Sequence, residues 1–298
     1  MLDYKLLQAL AMVLDEGGFE KAAVKLHLTQ SAVSQRIKLL EEYVGQILLT
    51  RTTPPAATTA GLQFLSHYRK VKQLENDLPP TEKLAPEQLH KTLAIGVNAD
   101  SLGTWFPDVV EKIIKEQNLI LDIHVDDQDE TQNFLRNGQV CGCISTNDKA
   151  LQGCCIEKLG GVQYGIFSTP HFAATWFPHG IDLDAVATTP TIQFNRKDNF
   201  NEKFFRLLFR SVPDNPPTFY VPSTEIFVDF ILRSLCYGVI PHHQSKSLAD
   251  AGKLVDLAPS CKITIDLYYH FWNLKSATMV NFTRSFITGS KKALQQAF

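Results

Sequence analysis

Between Phe19 and Tyr43 the chain reads FEKAAVKLHLTQSAVSQRIKLLEEY, a stretch whose polar side chains are spaced for contact with nucleic acid. Ser31, Ser34, Gln35 and Lys38 form a polar stripe at helical spacing, with Arg36 beside them and Thr29 and Gln30 just ahead. Hydroxyls, an amide and cations are the groups that reach base edges and phosphates when a helix enters a major groove. On the opposite stripe Val33, Ile37 and Leu40 recur at i, i+4 and i+7 and face a core. Thr29 is placed to cap this helix with its hydroxyl. Ala22, Ala23 and Leu26 give the preceding helix a small apolar face that a second helix can cross at close range. The plainer reading of the same residues is an amphipathic helix pair with a solvated face.

These two helices need a scaffold. Asp3 is placed to cap a first helix in which Leu6, Leu7, Leu10, Ala11 and Leu14 keep a helical period, and Gly17-Gly18 ends it. After Gly45 comes a short strand-like run, Gln46 to Arg51, then a Thr52-Thr53-Pro54-Pro55 turn and Thr58-Thr59 leading into another helix. The order is that of a winged helix-turn-helix. The helix predicted from about Thr59 to Leu78 carries Phe64, Val71 and Leu78 at seven-residue spacing, with Tyr68 and Leu74 between them. Such a stripe fits a homodimer seam or packing against its own chain; the short N-terminal domain offers little surface for the second, which favours the seam.

Net charge is −2, so any affinity for nucleic acid must come from how the charge is distributed. Residues 21 to 40 hold Lys21, Lys25, Arg36 and Lys38 with no acid, and residues 43 to 74 hold Arg51, Arg69, Lys70 and Lys72 with none. A compact basic surface at one end is therefore expected. At 298 residues, 44% apolar and 20% charged, the chain suits two or three soluble domains. No run of 18 apolar residues occurs and the first residues enter a helical pattern directly, which predicts a cytoplasmic, nucleoid-associated protein without membrane contact. The six cysteines are expected to be reduced, and no histidine spacing accompanies Cys141, Cys143, Cys154 and Cys155 to suggest a metal. No cofactor is expected.

Pro79-Pro80 and Pro86 mark a hinge, beyond which strands alternate with helices. Thr92 to Val97, Ile120 to Val125 and Val140 to Ser145 read as strands, with helices over Leu102 to Ile114 and Asp129 to Asn137 between them. That series predicts a parallel sheet. Tyr164 to Ser168 opens a second series with helices near Phe200 to Phe209 and from Ser223 to Tyr237, then a strand from Ile263 to Tyr269 and a final helix to about Gln296. Two α/β lobes imply a cleft. Asp100, Ser101 and Leu102 follow the first strand at a helix start, where backbone N–H groups and a hydroxyl can hold a carboxylate. Five acids lie between Leu121 and Glu130, of which Asp126 and Asp127, at the strand's carboxyl end, suit a cation. Most of these acids also fit a solvated loop and the charge of a helix start. Thr146, Phe194 with the residues on to Asp198, and Ser223, Thr224 and Glu225 complete the candidate cleft.

Thr29 to Ile37 with Leu40-Glu41 resembles the DNA-reading helix of the LysR-type transcriptional regulators, and the likeness runs through the whole chain. The resemblance implies an α/β multidomain fold: a winged helix-turn-helix (1–58), a dimerising linker helix and hinge (59–90), and a two-lobed effector domain similar to periplasmic binding proteins (91–298). Lobe I takes about 91–162 and 266–298, lobe II about 163–265. It implies homodimers or tetramers, double-stranded operator DNA and RNA polymerase as partners. Gln30 to Lys38, Pro54-Pro55, Asn98 to Leu102 and Ile240-Pro241-His242 are similar to members responding to lysine or arginine, which implies a basic amino acid as effector. One departure stands out: the wing has Ala56 and Ala57 where such regulators carry a basic residue, which leaves Arg51 for phosphate. Two rivals are an architectural DNA-binding protein or replication-initiation inhibitor without obligatory ligand, and an α/β enzyme. His242-His243 lies near Cys236, but no nucleophile elbow, HExxH or Walker loop occurs.

Overall fold

A computed structural model describes residues 2–78, 90–126 and 131–295. The N-terminal unit consists of α1 (Tyr4–Asp15), α2 (Phe19–Leu26) and α3 (Gln30–Val44), a two-stranded wing of β1 (Leu49–Thr50) and β2 (Ala56–Ala57), and α4 (Thr59–Glu75). Each boundary has a local cause. The Asp3 carboxylate accepts from the Lys5 N–H to start α1, and left-handed His27 and Gly45 end α2 and α3. Ala9, Leu10, Ala22, Val33, Ile37, Leu40 and Leu48 close a core of their own. The strand-like run is shorter than expected because Gln46 and Ile47 are exposed, and only Leu49 and Thr50 pair with the wing. Gly61 lets α4 cross the wing strand: a Cβ there would stand 2.0 Å from the Leu48 carbonyl oxygen.

The second unit contains β3 (Lys91–Asn98), α5 (Ala99–Leu102), α6 (Phe106–Gln117), β4 (Leu119–Asp126), α7 (Thr131–Arg136), β5 (Gly142–Ser145) and β6 (Cys154–Ser168). There follow α8 (Pro170–Trp176), α9 (Leu183–Thr188), β7 (Thr191–Gln193), α10 (Phe200–Phe209), β8 (Thr218–Tyr220) and α11 (Thr224–Leu232). Next come β9 (Tyr237–Pro241), α12 (His242–Asp250), β10 (Val255–Asp256), β11 (Ile263–Trp272) and α13 (Ala277–Gln295).

The strands of the first series pair in parallel as expected, within a larger sheet that is mixed. Its order is β4-β3-β5-β11-β6-β9-β7-β8, with β10 on β6. The parallel ladders of each half, β3 with β4 and β5, and β7 with β8 and β9, are joined by the antiparallel pair β6 and β11. Those two strands pair from Cys154 opposite Trp272 to Tyr164 opposite Ile263, so both run through the two lobes. Ten residues of β6 precede Tyr164, where a strand start was expected; Glu157 and Lys158 in the middle of that run hide its strand character. The helix expected from Ser223 to Tyr237 stops at Leu232, where the chain turns through left-handed Ser234 and Tyr237 begins a buried strand. Leu102 belongs to the single turn of α5 and is separated from α6. The hinge prolines lie outside the described residues.

Candidate nucleic-acid interface and ligand cleft

Thr29 caps α3, its hydroxyl accepting from the Ala32 N–H at 3.2 Å. Along the helix, Gln30, Ser31, Gln35 and Lys38 are exposed while Ser34 and Arg36 are half-buried. All of them lie off the stripe formed by buried Val33, Ile37 and Leu40, so one helix serves a core and a polar face at once. Glu41 locks the wing to this helix: its carboxylate accepts from the Leu48 N–H at 2.8 Å and the Leu49 N–H at 3.3 Å. Arg51 is exposed at the wing's base, beside the alanine strand. Lys38 pairs with Glu42 at 3.7 Å in an exposed contact that salt screens readily.

The stripe on α4 divides. Phe64 and Tyr68 pack against the core of the N-terminal unit, the alternative that the small size of that unit had argued against. Val71 is half-buried, and Leu74 and Leu78 are 40% and 67% exposed. The helix ends at Glu75, short of Leu78. At its end the Asp77 carboxylate accepts from Thr278 at 2.5 Å and Lys91 at 3.3 Å.

Between the lobes lies a cavity of about 120 Å³ measured over solvent centres. One water needs roughly 10 to 15 Å³ on that measure, so the space has the scale of a free amino acid rather than a dinucleotide. Asn98, Asp100, Asp126 and Thr146 line it from one lobe; Phe194, Lys197, Lys203, Thr224 and Gln244 line it from the other. Tyr164, on the shared strand β6, donates its hydroxyl to Asp100 at 2.7 Å and lies 4.6 Å from the Phe200 ring. Asp198 builds the far wall: its two oxygens accept from the N–H groups of Phe194 and Phe200, each at 2.9 Å. Among the described residues no donor reaches the buried Asn98 amide oxygen.

The structure therefore brings Asp100, Asp126, Thr146, Phe194 and Thr224 together. Four expected residues do not line the cavity. α5 is a single turn, so Asp100 faces the space while Ser101 is buried and Leu102 packs on the core. Ser223 is used as the cap of α11, and Glu225 is exposed. Asp127 lies outside the described residues. Asn98 and Tyr164 escaped the sequence reading although each ends or interrupts an apolar strand run, a signal available in principle. Lys203 and Gln244 carry none. Burial pushes the Cys141 thiol up to about 12 and raises Cys143 as well, which leaves both unreactive. Among the described residues no cluster of His, Cys, Asp and Glu is arranged for a metal.

Residues 4–62 match the model of the bacterial regulatory helix-turn-helix proteins of the lysR family. The regulator ArgP of Aeromonas salmonicida is 38% identical over 298 residues, which span 99% of this chain and 98% of that protein. This chain belongs to the LysR family. The regulator's fold is also that of ArgP from Mycobacterium tuberculosis, with TM-score 0.85, 32% identity, and 97% and 98% of the two chains covered. Full-length LysG from Corynebacterium glutamicum, solved with arginine bound as effector, matches with TM-score 0.76 and 29% identity over 98% and 99%. The regulator is thus a LysR-type transcriptional regulator with a winged helix-turn-helix and a two-lobed effector domain.

Proposed function

We propose that the regulator reads an operator with α3 and is controlled by a basic amino acid, lysine or arginine, held between its lobes. The observation that carries the ligand reading is the polarity of the cleft. Asn98, Asp100 and Asp126 supply acceptors on one wall; on the other Lys197 and Lys203 supply cations beside Asp198, whose oxygens hold the N–H groups of Phe194 and Phe200. A dibasic amino acid meets both, its ammonium or guanidinium on the acceptor side and its carboxylate toward the lysines. The orphaned Asn98 oxygen supports a donor-bearing ligand, since a buried acceptor left unmade costs about 1 to 3 kcal/mol. The arginine bound to the similar LysG supports the same class.

On the DNA side, Ser31, Ser34, Gln35 and Arg36 are the proposed base and groove-edge contacts, with Thr29, Gln30, Lys38 and Arg51 toward phosphate. Self-association as a dimer or tetramer is supported by apolar surface left open: Leu74 and Leu78 beyond α4's own-chain contacts, and Ile120, Ile123 and Val125 on the edge strand β4. RNA polymerase is the partner an activator would engage, and the proposed location is the cytoplasm.

Calorimetry with lysine and arginine against the wild type and Asp126→Asn tests the ligand, and operator footprinting with and without it tests the coupling. Binding by the wild type, weakened in Asp126→Asn, with a ligand-dependent footprint is expected. A footprint that ignores both amino acids supports the architectural reading, and consumption of the ligand supports an enzyme.

A further inference from the structure

Thr146, which follows β5, lines the cleft from a loop, whereas Asp126 lines it from within β4, paired with Asn98 of β3. Behind them, on the crossing strand β11, stands a fully buried histidine. His270 lies opposite Cys143 of β5 and Ile156 of β6. Its Nε2 donates to the Asn147 carbonyl oxygen at 2.8 Å, and Nδ1, the acceptor nitrogen of that tautomer, is 3.4 Å from the Gln132 amide nitrogen. The Gln132 carbonyl oxygen in turn accepts from the Asn147 amide at 3.0 Å. Ser145 accepts from the Asn147 N–H at 3.2 Å, and Thr131, beside Gln132, donates to the Ile144 carbonyl at 2.6 Å. Burial holds the His270 ring below the usual imidazole pKa, which favours the neutral ring with its N–H on the carbonyl.

We propose that His270 is a positioning residue for the effector cleft, tying α7 and the Ser145–Asn147 turn together so that Thr146, within that turn, is held at the cleft wall. The inference rests on the basic amino acid reading and names residues that do not themselves touch ligand. A buried imidazole must satisfy both ring nitrogens, and here the two partners lie on separate elements, the carbonyl of the turn and the amide of the helix, so the ring bridges them. β11 belongs to both lobes, so the clamp is anchored on the strand about which the lobes are joined.

The test uses the full chain, titrated with lysine and with arginine by calorimetry, with thermal melting alongside. The variants are His270→Phe, Gln132→Met, the double variant and His270→Gln, whose amide nitrogen can replace Nε2–H. Loss of the clamp should weaken binding about tenfold in each of the two single variants. The double variant should bind no more weakly than either single, and His270→Gln should recover most of the affinity. Affinities within twofold of wild type in both singles, with only the melting temperature lowered, overturn the proposal. Additive losses, or His270→Gln as weak as His270→Phe, overturn it as well. If His270→Phe does not fold, Gln132→Met decides alone. A wild type that binds neither amino acid removes the functional reading and the positioning role together, whereas binding that survives every variant removes the clamp only.

Discussion

Tyr164 donates its hydroxyl to Asp100 at 2.7 Å, and this bond links the strand shared by both lobes to the first turn of the cleft wall. The ring is fixed independently, 2% exposed and stacked at an angle on Phe200. Tyr164→Phe therefore removes an orienting hydrogen bond and leaves the packing. A hydrogen bond of this kind contributes about 0.5 to 1.5 kcal/mol, so affinity for the basic amino acid should fall roughly two- to tenfold with the melting temperature nearly unchanged. Calorimetry on the variant that returned the wild-type constant would show that Asp100 needs no orienting partner.

Gly103 and Thr224 face each other across the cleft, close enough that a Cβ on Gly103 would stand 2.7 Å from the Thr224 hydroxyl. The glycine's φ of −79° suits any residue, so only space restricts the position. Gly103→Val should wedge the lobes apart and weaken effector binding, leaving operator binding without effector intact. Adding Thr224→Ala should restore part of the loss. If the double variant binds no better than Gly103→Val, the contact is not what limits closure.

A pH dependence follows from Asp77. Burial raises its carboxyl, but hydrogen bonds from Ser276, Thr278 and Lys91 and the Lys91 charge outweigh that and hold it below the ordinary carboxylate value. A depressed folded-state pKa stabilises above the unfolded value of about 3.9, and the stabilisation is lost as pH falls through the folded one. The melting-temperature gap between wild type and Asp77→Asn should be constant above about pH 5 and close progressively below pH 4. A gap that widens on acidification would reverse the sign and reject the assignment.

How much of this the sequence disclosed depended on whether a local pattern had one physical cause. Thr29, Val33, Ile37 and Leu40 were legible because cap chemistry and a helical period agree there. The cleft residue Asp126 was legible because a carboxylate ending an apolar strand is conspicuous. β6 was half hidden, since a strand with Glu157 and Lys158 in its middle loses the apolar run that marked β3. The division of α4 was illegible: Phe64 and Leu78 share one stripe, and only the placement of α1 and the wing decides that the first is covered by its own chain. Lys203 and Gln244 belong to the cleft through tertiary proximity alone.

Val71 lies on α4 between the part covered by its own chain and the exposed Leu74 and Leu78. If a second copy covers that stretch, Val71→Asp puts a charge into a desolvated contact and should shift the oligomer toward the monomer. Operator binding should weaken with it, because paired half-sites need paired heads. Sedimentation that finds the oligomer unchanged would move the interface elsewhere, with the β4 edge as the next surface to test.

Variants of α3 make the sharpest separation between reading a sequence and gripping a backbone. Half-buried Ser34 and exposed Gln35 stand one turn beyond Ser31, on a helix whose other side is fixed by Val33, Ile37 and Leu40. Replacing a base-reading residue costs about 1 to 3 kcal/mol on the matched site and much less on random DNA. Ser34→Ala or Gln35→Ala should therefore lower the specificity ratio. Arg36 is half-buried among them and makes no ion pair among the described residues, so its charge is available to a phosphate. Arg36→Ala should weaken operator and random DNA together and reduce the slope of log affinity against log salt by about one. Binding measured at several salt concentrations on both DNAs distinguishes the two roles. Equal losses on operator and random DNA for Ser34→Ala and Gln35→Ala would remove the base-reading assignment and leave α3 as a backbone clamp.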